Sequence, residues 1–273
     1  MTAVTFTRRP AFPTVDAADL VPYRDAVAVW NEYRVAAGFS PGAEILTPPG
    51  ANIKLAKGTW PVFGLSLAPA RTSGRNVCHC SSPACRRLCL ATAGNGRYNT
   101  VTAVRILRTR FFFDHPAVFV SLVTGELDRG LRAYRDYGRV GWRPNVLSDI
   151  PWETVAPVLL EPRARLRAYD YTKDWGRTGT DHYRLTYSRS ERTPDSAILA
   201  ATADGRNVAV PFTTAPGRPL PRTYLGVRVI DGDVTDYRVT DPAGVIVGLR
   251  AKGRARMARY RTDGFVIDAG AWS

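Results

Sequence analysis

The sequence predicts an α/β protein with a mostly parallel sheet, and three observations predict it. From residue 60 onward, single apolar runs of roughly five to eight residues recur. Between them lie segments with helical spacing or helix-start signals, the alternation expected of parallel strands joined by helical crossovers. The chain of 273 residues is long enough to bury a sizeable core, and it shows no internal repeat, low-complexity segment or linker. One α/β domain over residues 60–273, with an N-terminal extension over 1–59 packed on it, is the simplest organisation.

Each element follows from local signals. "AADLVPYRDAVAVWNEYRVAAG" has apolar residues at helical spacing and predicts an amphipathic helix ending at Gly38. "TPPGANIKLAKG" is turn-rich, and "WPVFGLSLAPA" predicts a buried strand around 61–67. The long segment from Gly96 to Gly138 predicts two helices divided near Asp114-His115-Pro116, because proline ends one helix and can begin the next. "RVGWRPNVLSD" predicts a strand, "PWETVAPVLLE" a short helix, and "RLRAYDYT" and "HYRLTYS" two more strands. "TPDSAILAATADG" predicts a capped helix, followed by strands in "NVAVPF", "TYLGVRVIDGD" and "GVIVGLR".

Composition bounds the function classes. No stretch approaches eighteen uncharged apolar residues, and the N-terminus lacks the apolar run of a secretory signal, so a cytoplasmic protein without a membrane span is expected. The formal net charge is +14, almost all from arginine; the lysines are Lys54, Lys57, Lys173 and Lys252. Such a balance is partly what an arginine-rich, GC-rich coding sequence writes. It also creates a positive field that attracts polyanions, so nucleic acid or a small anionic ligand are the expected partners.

All the sulfhydryl chemistry sits in "NVCHCSSPACRRLCLATAG", where Cys78, Cys80, Cys85 and Cys89 are spaced C-x-C-x4-C-x3-C. In a reducing compartment, clustered thiols point to a metal rather than to disulfides. Zinc ribbons use two separated two-ligand knuckles, and here there is a single loop. Iron–sulfur clusters are commonly bound by one loop with short, uneven spacing. A helix starting at Pro83 would put Cys85 and Cys89 one turn apart and turn its N–H groups toward an anionic cluster. Arg75, Arg86 and Arg87 flank the loop and could offset the charge of the cluster. An iron–sulfur cluster, a structural zinc and no metal all stay open on spacing alone.

Polar residues gather where the strands end: Ser148-Asp149, Asp170 with Thr172-Lys173, and Asp231-Gly232-Asp233. In open α/β sheets and barrels that edge carries the chemistry, and the cysteine loop follows a strand onto the same edge. Asp149 and Asp170 are candidates for acid–base work or ligand orientation, with helix capping as the plainer reading. Lys173 could hold a phosphate or act as a base, or could be a solvated loop lysine. Asp231, Asp233, Asp236 and Asp241 could bind a hard divalent cation or a substrate, or simply form a turn. The tail residues Arg250, Lys252, Arg254, Arg256 and Arg259, with Tyr260 nearby, are the candidate nucleic-acid contact.

The motif "C-H-C-S-S-P-A-C-R-R-L-C-L-A", with "RYNTVTAVRILRTRFF", "VLSDIPWE" and "AYDYTKDW" after it, resembles the phage-encoded gene product 88 domain family. The resemblance covers roughly residues 60–190. It implies a phage or prophage origin, a barrel-like fold (a partial or complete TIM-type sheet) and a cysteine-bound 4Fe-4S cluster. The family pattern falls on Cys78, Cys85 and Cys89, with Cys80 as an extra thiol and a candidate fourth ligand. The family is similar in flavour to radical S-adenosylmethionine enzymes, although their C-x3-C-x2-C is absent here.

These lines combine into one expectation. The chain is a cytoplasmic phage protein with a 4Fe-4S cluster at the C-terminal edge of its sheet, beside a small-ligand pocket lined by residues such as Asp149, Asp170, Lys173 and Asp231. Such a cluster would support redox, radical-type or Lewis-acid chemistry. The alternative is a module stapled by Zn2+ or by the cluster, binding nucleic acid through its arginines.

Overall fold

The computed structural model describes residues 12–42, 44–51, 55–56, 58–94, 98–261 and 263–272. Residues 1–11 of the expected extension, and residues 52–54 and 57 of the turn-rich segment, lie outside them. Eight strands form one sheet: β1 (Val62–Gly64), β2 (Val140–Arg143), β3 (Leu166–Thr172), β4 (Tyr183–Ser188), β5 (Asn207–Phe212), β6 (Thr223–Tyr224), β7 (Val227–Asp231) and β8 (Ile246–Arg250). Their spatial order is β1-β2-β3-β4-β5-β8-β7-β6. All neighbours are parallel except the β6–β7 hairpin. That hairpin turns through Leu225 and Gly226, both with positive φ. The first five strands follow chain order without reversal, so successive strand ends bring their loops side by side along one edge. Among the described residues, β1 and β6 end the sheet and no hydrogen bonding closes it.

The helices are α1 (Tyr23–Ala36), α2 (Pro83–Arg87), α3 (Asn99–Asp114), α4 (Pro116–Ala133), α5 (Trp152–Val155) and α6 (Asp195–Ala203). Proline divides α3 from α4 at His115-Pro116, as the sequence predicts. No described helix is long and apolar enough to cross a membrane.

Burial follows strand alternation. Val140 and Trp142 of β2, with Leu166 and Ala168 of β3, join a core shared with α1, α3, α4 and α5. On the other face, Tyr169 packs with Val62, Leu55 and Tyr237. Trp30 of α1 lies against Phe111 with ring centroids 4.7 Å apart, so the predicted N-terminal helix shares the main core. A second cluster, around Val208, Val210, Phe212 and Ile246, packs Ile198 and Ala201 of α6.

The face of α4 that meets the sheet carries Phe119, Val120, Leu122, Val123, Leu127 and Gly130, a stripe at helical spacing. Glu126, on the same face, accepts the N–H groups of Ile45 and Leu46 at 2.7 and 2.8 Å, and burial pushes its carboxyl up to about 7. At Gly130 a Cβ would lie 2.4 Å from the Phe63 ring, so glycine sets the distance between α4 and β1. Gly130→Val should destabilise the protein by about 1–3 kcal/mol through overpacking, since Val and Gly differ by only a few tenths of that in helix propensity. Urea melts measure it, and an unchanged midpoint would contradict the close-contact account.

Candidate functional site

At the C-terminal ends of β2 and β3 the chain buries a continuous polar network, which Tyr183 joins from the start of β4. Asn145, just past β2, donates its backbone N–H and its amide to the two oxygens of Asp170 at 2.9 and 2.8 Å. Its Oδ1 accepts from Ser148 Oγ, the Ile150 N–H and the Trp152 indole, which shapes the turn leading into α5. Tyr183 of β4 donates to Asp170 at 2.6 Å and accepts from Arg177 at 2.7 Å. Arg177 also donates to Asp149 at 2.7 Å and grips Glu153 with two bonds of 2.8 and 2.9 Å. Burial raises the Asp170 carboxyl to about 6, although Arg177 and the Tyr183 and Asn145 hydrogen bonds pull it down.

Asp149 joins this network to the cysteine loop. Its carboxylate accepts from Thr172 Oγ1 and the Lys173 N–H, both at 2.8 Å. Its own N–H donates to the carbonyl of Val77, next to Cys78. The Cys78 thiol lies 3.5 Å from the Leu147 carbonyl and accepts the Ala70 N–H at 3.3 Å. Burial pushes the Cys78 thiol far up, with the fields of Asp149, Cys85 and Cys89 adding to it. Burial likewise raises Cys85, opposed by the Lys173 ammonium, and raises Cys89, opposed by the Ala91 N–H, Arg105 and Lys173. Cys78, Cys85 and Cys89 therefore share one electrostatic neighbourhood, faced by Lys173 and, at Cys89, by Arg105. The Arg105 Nε and Nη1 atoms are buried with no hydrogen-bond partner.

Cys80 keeps different company. It groups with His79 and Asp174, their ligand atoms all within 4.8 Å of one another, and His79 Nε2 lies 3.1 Å from Asp174 Oδ2.

Two local expectations about the loop change. The predicted helix at Pro83 forms, but α2 ends at Arg87, and Cys89 precedes a separate 3-10 turn, Leu90–Thr92. Cys85 and Cys89 are thus not one turn apart on a continuous helix. The helix start is also occupied: Ser82 accepts the Cys85 N–H, while Glu191 accepts the Ala84 N–H and the Ser82 hydroxyl. Of the flanking arginines, Arg87 pairs with Asp263, Arg86 donates to Ser81, and Arg75 lies over the Phe113 ring.

The other predicted residues separate into groups. Asp149 and Asp170 are buried and satisfied from within the fold, holding strand ends together. Lys173 reaches the Arg189 carbonyl at 3.2 Å and lies 5.2 Å from the Phe265 ring centroid. Asp231 and Asp233, at the end of β7, pair with Arg250 and Lys252. The Arg250 bond holds Asp231 below the usual carboxylate range; burial works against Asp233, but Lys252 and Arg250 hold it low as well. The expected acid group and part of the expected nucleic-acid contact thus neutralise each other. Asp236 pairs with buried Arg143, and Asp241 with Arg238. Arg254, Arg256 and Arg259 are exposed. A cleft of about 310 Å³ lies elsewhere, between β1 and α4, lined by residues including Tyr23, Glu44, Phe63, Glu126 and Arg129.

Sequence reading missed Asn145, Glu153, Arg177, Tyr183 and Glu191. Arg177 is one of many arginines and no local motif marks it; the Y-T-K segment at the end of β3 was the nearest signal. Replacing Arg177 with Met should cost about 3–5 kcal/mol, because two carboxylates lose their buried counter-charge, and Arg177→Lys should recover part of it. Asp170 adds a pH dependence with a definite sign. Its folded pKa is raised above the ordinary 3.8, so its contribution to stability falls as pH rises from about 4 through about 6. Stability measured across that window should lose this slope in Asp170→Asn, and an identical slope in both proteins would contradict the assignment.

No curated protein and no solved structure matches this chain. The comparison gives no support to a likeness with radical S-adenosylmethionine enzymes. The family model described as Gene product 88 matches residues 44–269, which takes in the cysteine loop, the strand-end network and the whole sheet. The chain belongs to the gene product 88 family of phage proteins.

Proposed function

We propose that this protein holds a 4Fe-4S cluster through Cys78, Cys85 and Cys89 at the C-terminal edge of a sheet with barrel-like curvature, and binds a small anionic ligand beside it. The carrying observation is that these three thiols lie within one another's field while Cys80 groups with His79 and Asp174. The donor set fits. Thiolate ligands must be deprotonated, and buried thiols at this site lose their protons to solvent only where a metal or nearby cations stabilise the thiolate. Lys173 and Arg105 supply that positive charge, and the two unpartnered Arg105 nitrogens suit an anionic group at this position. A single zinc would draw thiolates to about 3.8 Å apart. Among the described residues, the three thiols do not form so tight a group, whereas His79, Cys80 and Asp174 do approach one another.

A cluster held by three thiolates supplies an iron with an open coordination position, suited to Lewis-acid or redox work. The protein's own residues do the rest. Asp149 holds the backbone at Lys173, and the Arg189 carbonyl and the Phe265 ring hold its ammonium, giving an anionic ligand a placed positive charge. Arg177 fixes Asp149 from behind, so the edge is preorganised and needs little rearrangement when a ligand arrives. Cluster assembly requires reduced thiols, which fits the cytoplasm of a bacterial host. The alternative, a metal-stapled nucleic-acid module, loses weight from the pairing of Arg250 and Lys252 with Asp231 and Asp233.

Anaerobically purified protein should be brown, with iron and acid-labile sulfide in equal amounts. Cys78→Ala, Cys85→Ala and Cys89→Ala should bleach it, and Cys80→Ala should keep its colour. A colourless protein with zinc bound by four sulfurs would overturn the proposal. Bleaching in all four variants would overturn the three-thiol form of it.

A further inference from the structure

We infer that His79, Cys80 and Asp174 form a second metal site, for a single divalent cation of borderline softness such as Zn2+. The site is distinct from the three-thiol site and does not depend on the cluster reading.

Its ligand atoms come from two loops at the same sheet edge, the cysteine loop after β1 and the turn after β3, and all lie within 4.8 Å of one another. Zinc takes ligand distances of about 2.0–2.3 Å, which sets neighbouring ligand atoms roughly 3.5 Å apart. The group therefore needs to contract by about 1 Å, within reach of side-chain rotation. The His79 and Asp174 side chains are each only 4% exposed. His79 is also incompletely satisfied as it stands: its Nδ1 is buried with no hydrogen-bond partner. A buried polar nitrogen without a partner costs free energy that a folded protein normally avoids.

The surroundings orient the ligands as a metal site requires. The Gly176 N–H holds Asp174 Oδ1 at 3.0 Å, which leaves Oδ2 as the oxygen beside His79. The Asp174 backbone N–H is anchored on Thr172 Oγ1, which in turn donates to Asp149. Such outer bonds to a ligand carboxylate are part of how metal sites fix geometry. The Phe12 ring packs edge-on against the His79 ring at 6.0 Å. One imidazole, one thiolate and one carboxylate make a set that zinc accepts, and the two anionic ligands cancel a divalent charge in a site that would not tolerate net charge. Three protein ligands leave a fourth position open, the arrangement of catalytic rather than structural zinc. The simpler account is a bare His79–Asp174 hydrogen bond with Cys80 nearby by accident of sequence, and experiment separates the two.

The full-length protein, purified anaerobically, is dialysed against micromolar Zn2+ and analysed for zinc, iron and sulfide. One zinc per chain is expected in the wild type and in Cys85→Ser. Zinc affinity should fall by roughly 100-fold or more in His79→Gln, Cys80→Ser and Asp174→Asn, since even outer partners of a ligand are worth 10–100-fold. Zinc-edge absorption spectroscopy of the wild type, which does not depend on any variant folding, should show a mixed shell with one sulfur and nitrogen or oxygen ligands. No zinc in the wild type, a four-sulfur shell, or unchanged zinc in His79→Gln would each overturn the inference. Iron and sulfide report on the cluster separately: their absence with zinc retained would sink the cluster proposal and leave this site standing.

Discussion

The candidate site depends on one buried guanidinium. Arg177 sits behind the edge of the sheet and binds Asp149 from the β2 loop, Glu153 from α5 and Tyr183 from β4. Through Tyr183 it reaches Asp170 of β3, and through Asp170 it reaches Asn145. The ends of β2 and β3 and the start of β4 thus share one set of charge-assisted hydrogen bonds. Such bonds gain most where water is excluded, and here almost every polar atom of the set finds a partner.

That network explains why the cysteine loop has a defined place. Asp149 binds Val77 through its backbone and β3 through its carboxylate, so one residue ties the loop to the strand ends. Adjacent residues of the loop can then face different ways. Cys78 turns toward Leu147 and the neighbourhood of Cys85 and Cys89, while His79 turns to Asp174. A stretch with four thiols becomes two chemically different groups, one of sulfurs beside cations and one of nitrogen, sulfur and oxygen.

Charge follows the same logic over the rest of the molecule. A chain with net charge +14 still places its acids where they neutralise specific arginines: Asp231 and Asp233 on Arg250 and Lys252, Asp236 on Arg143, Asp241 on Arg238. Runs of like residues in the sequence, acidic at 231–241 and basic at 250–259, invite separate functional readings. In the fold, the ends of β7 and β8 are neighbours in the sheet, and much of the two runs is consumed in pairing.

The sequence by itself determined most of the strands and helices and their parallel arrangement, because apolar spacing, proline and glycine act over a few residues. "TYLGVRVIDGD", expected as one strand, instead turns at Leu225-Gly226 into the β6–β7 hairpin, and the helix in "TPDSAILAATADG" forms without a side-chain cap. The sequence also located the cysteine loop on the edge where strands end. What the tertiary structure alone decided is which polar groups meet. Arg177 carries no local signal, and its partners come from up to 28 residues away. The occupation of the α2 start likewise depends on Glu191, 107 residues from Ala84, whose carboxylate accepts the helix N–H that the sequence left for a ligand. Hydrophobic periodicity is a property of neighbours along the chain. Hydrogen-bond and charge pairing is a property of neighbours in space, and those exist only once the sheet has brought its ends together.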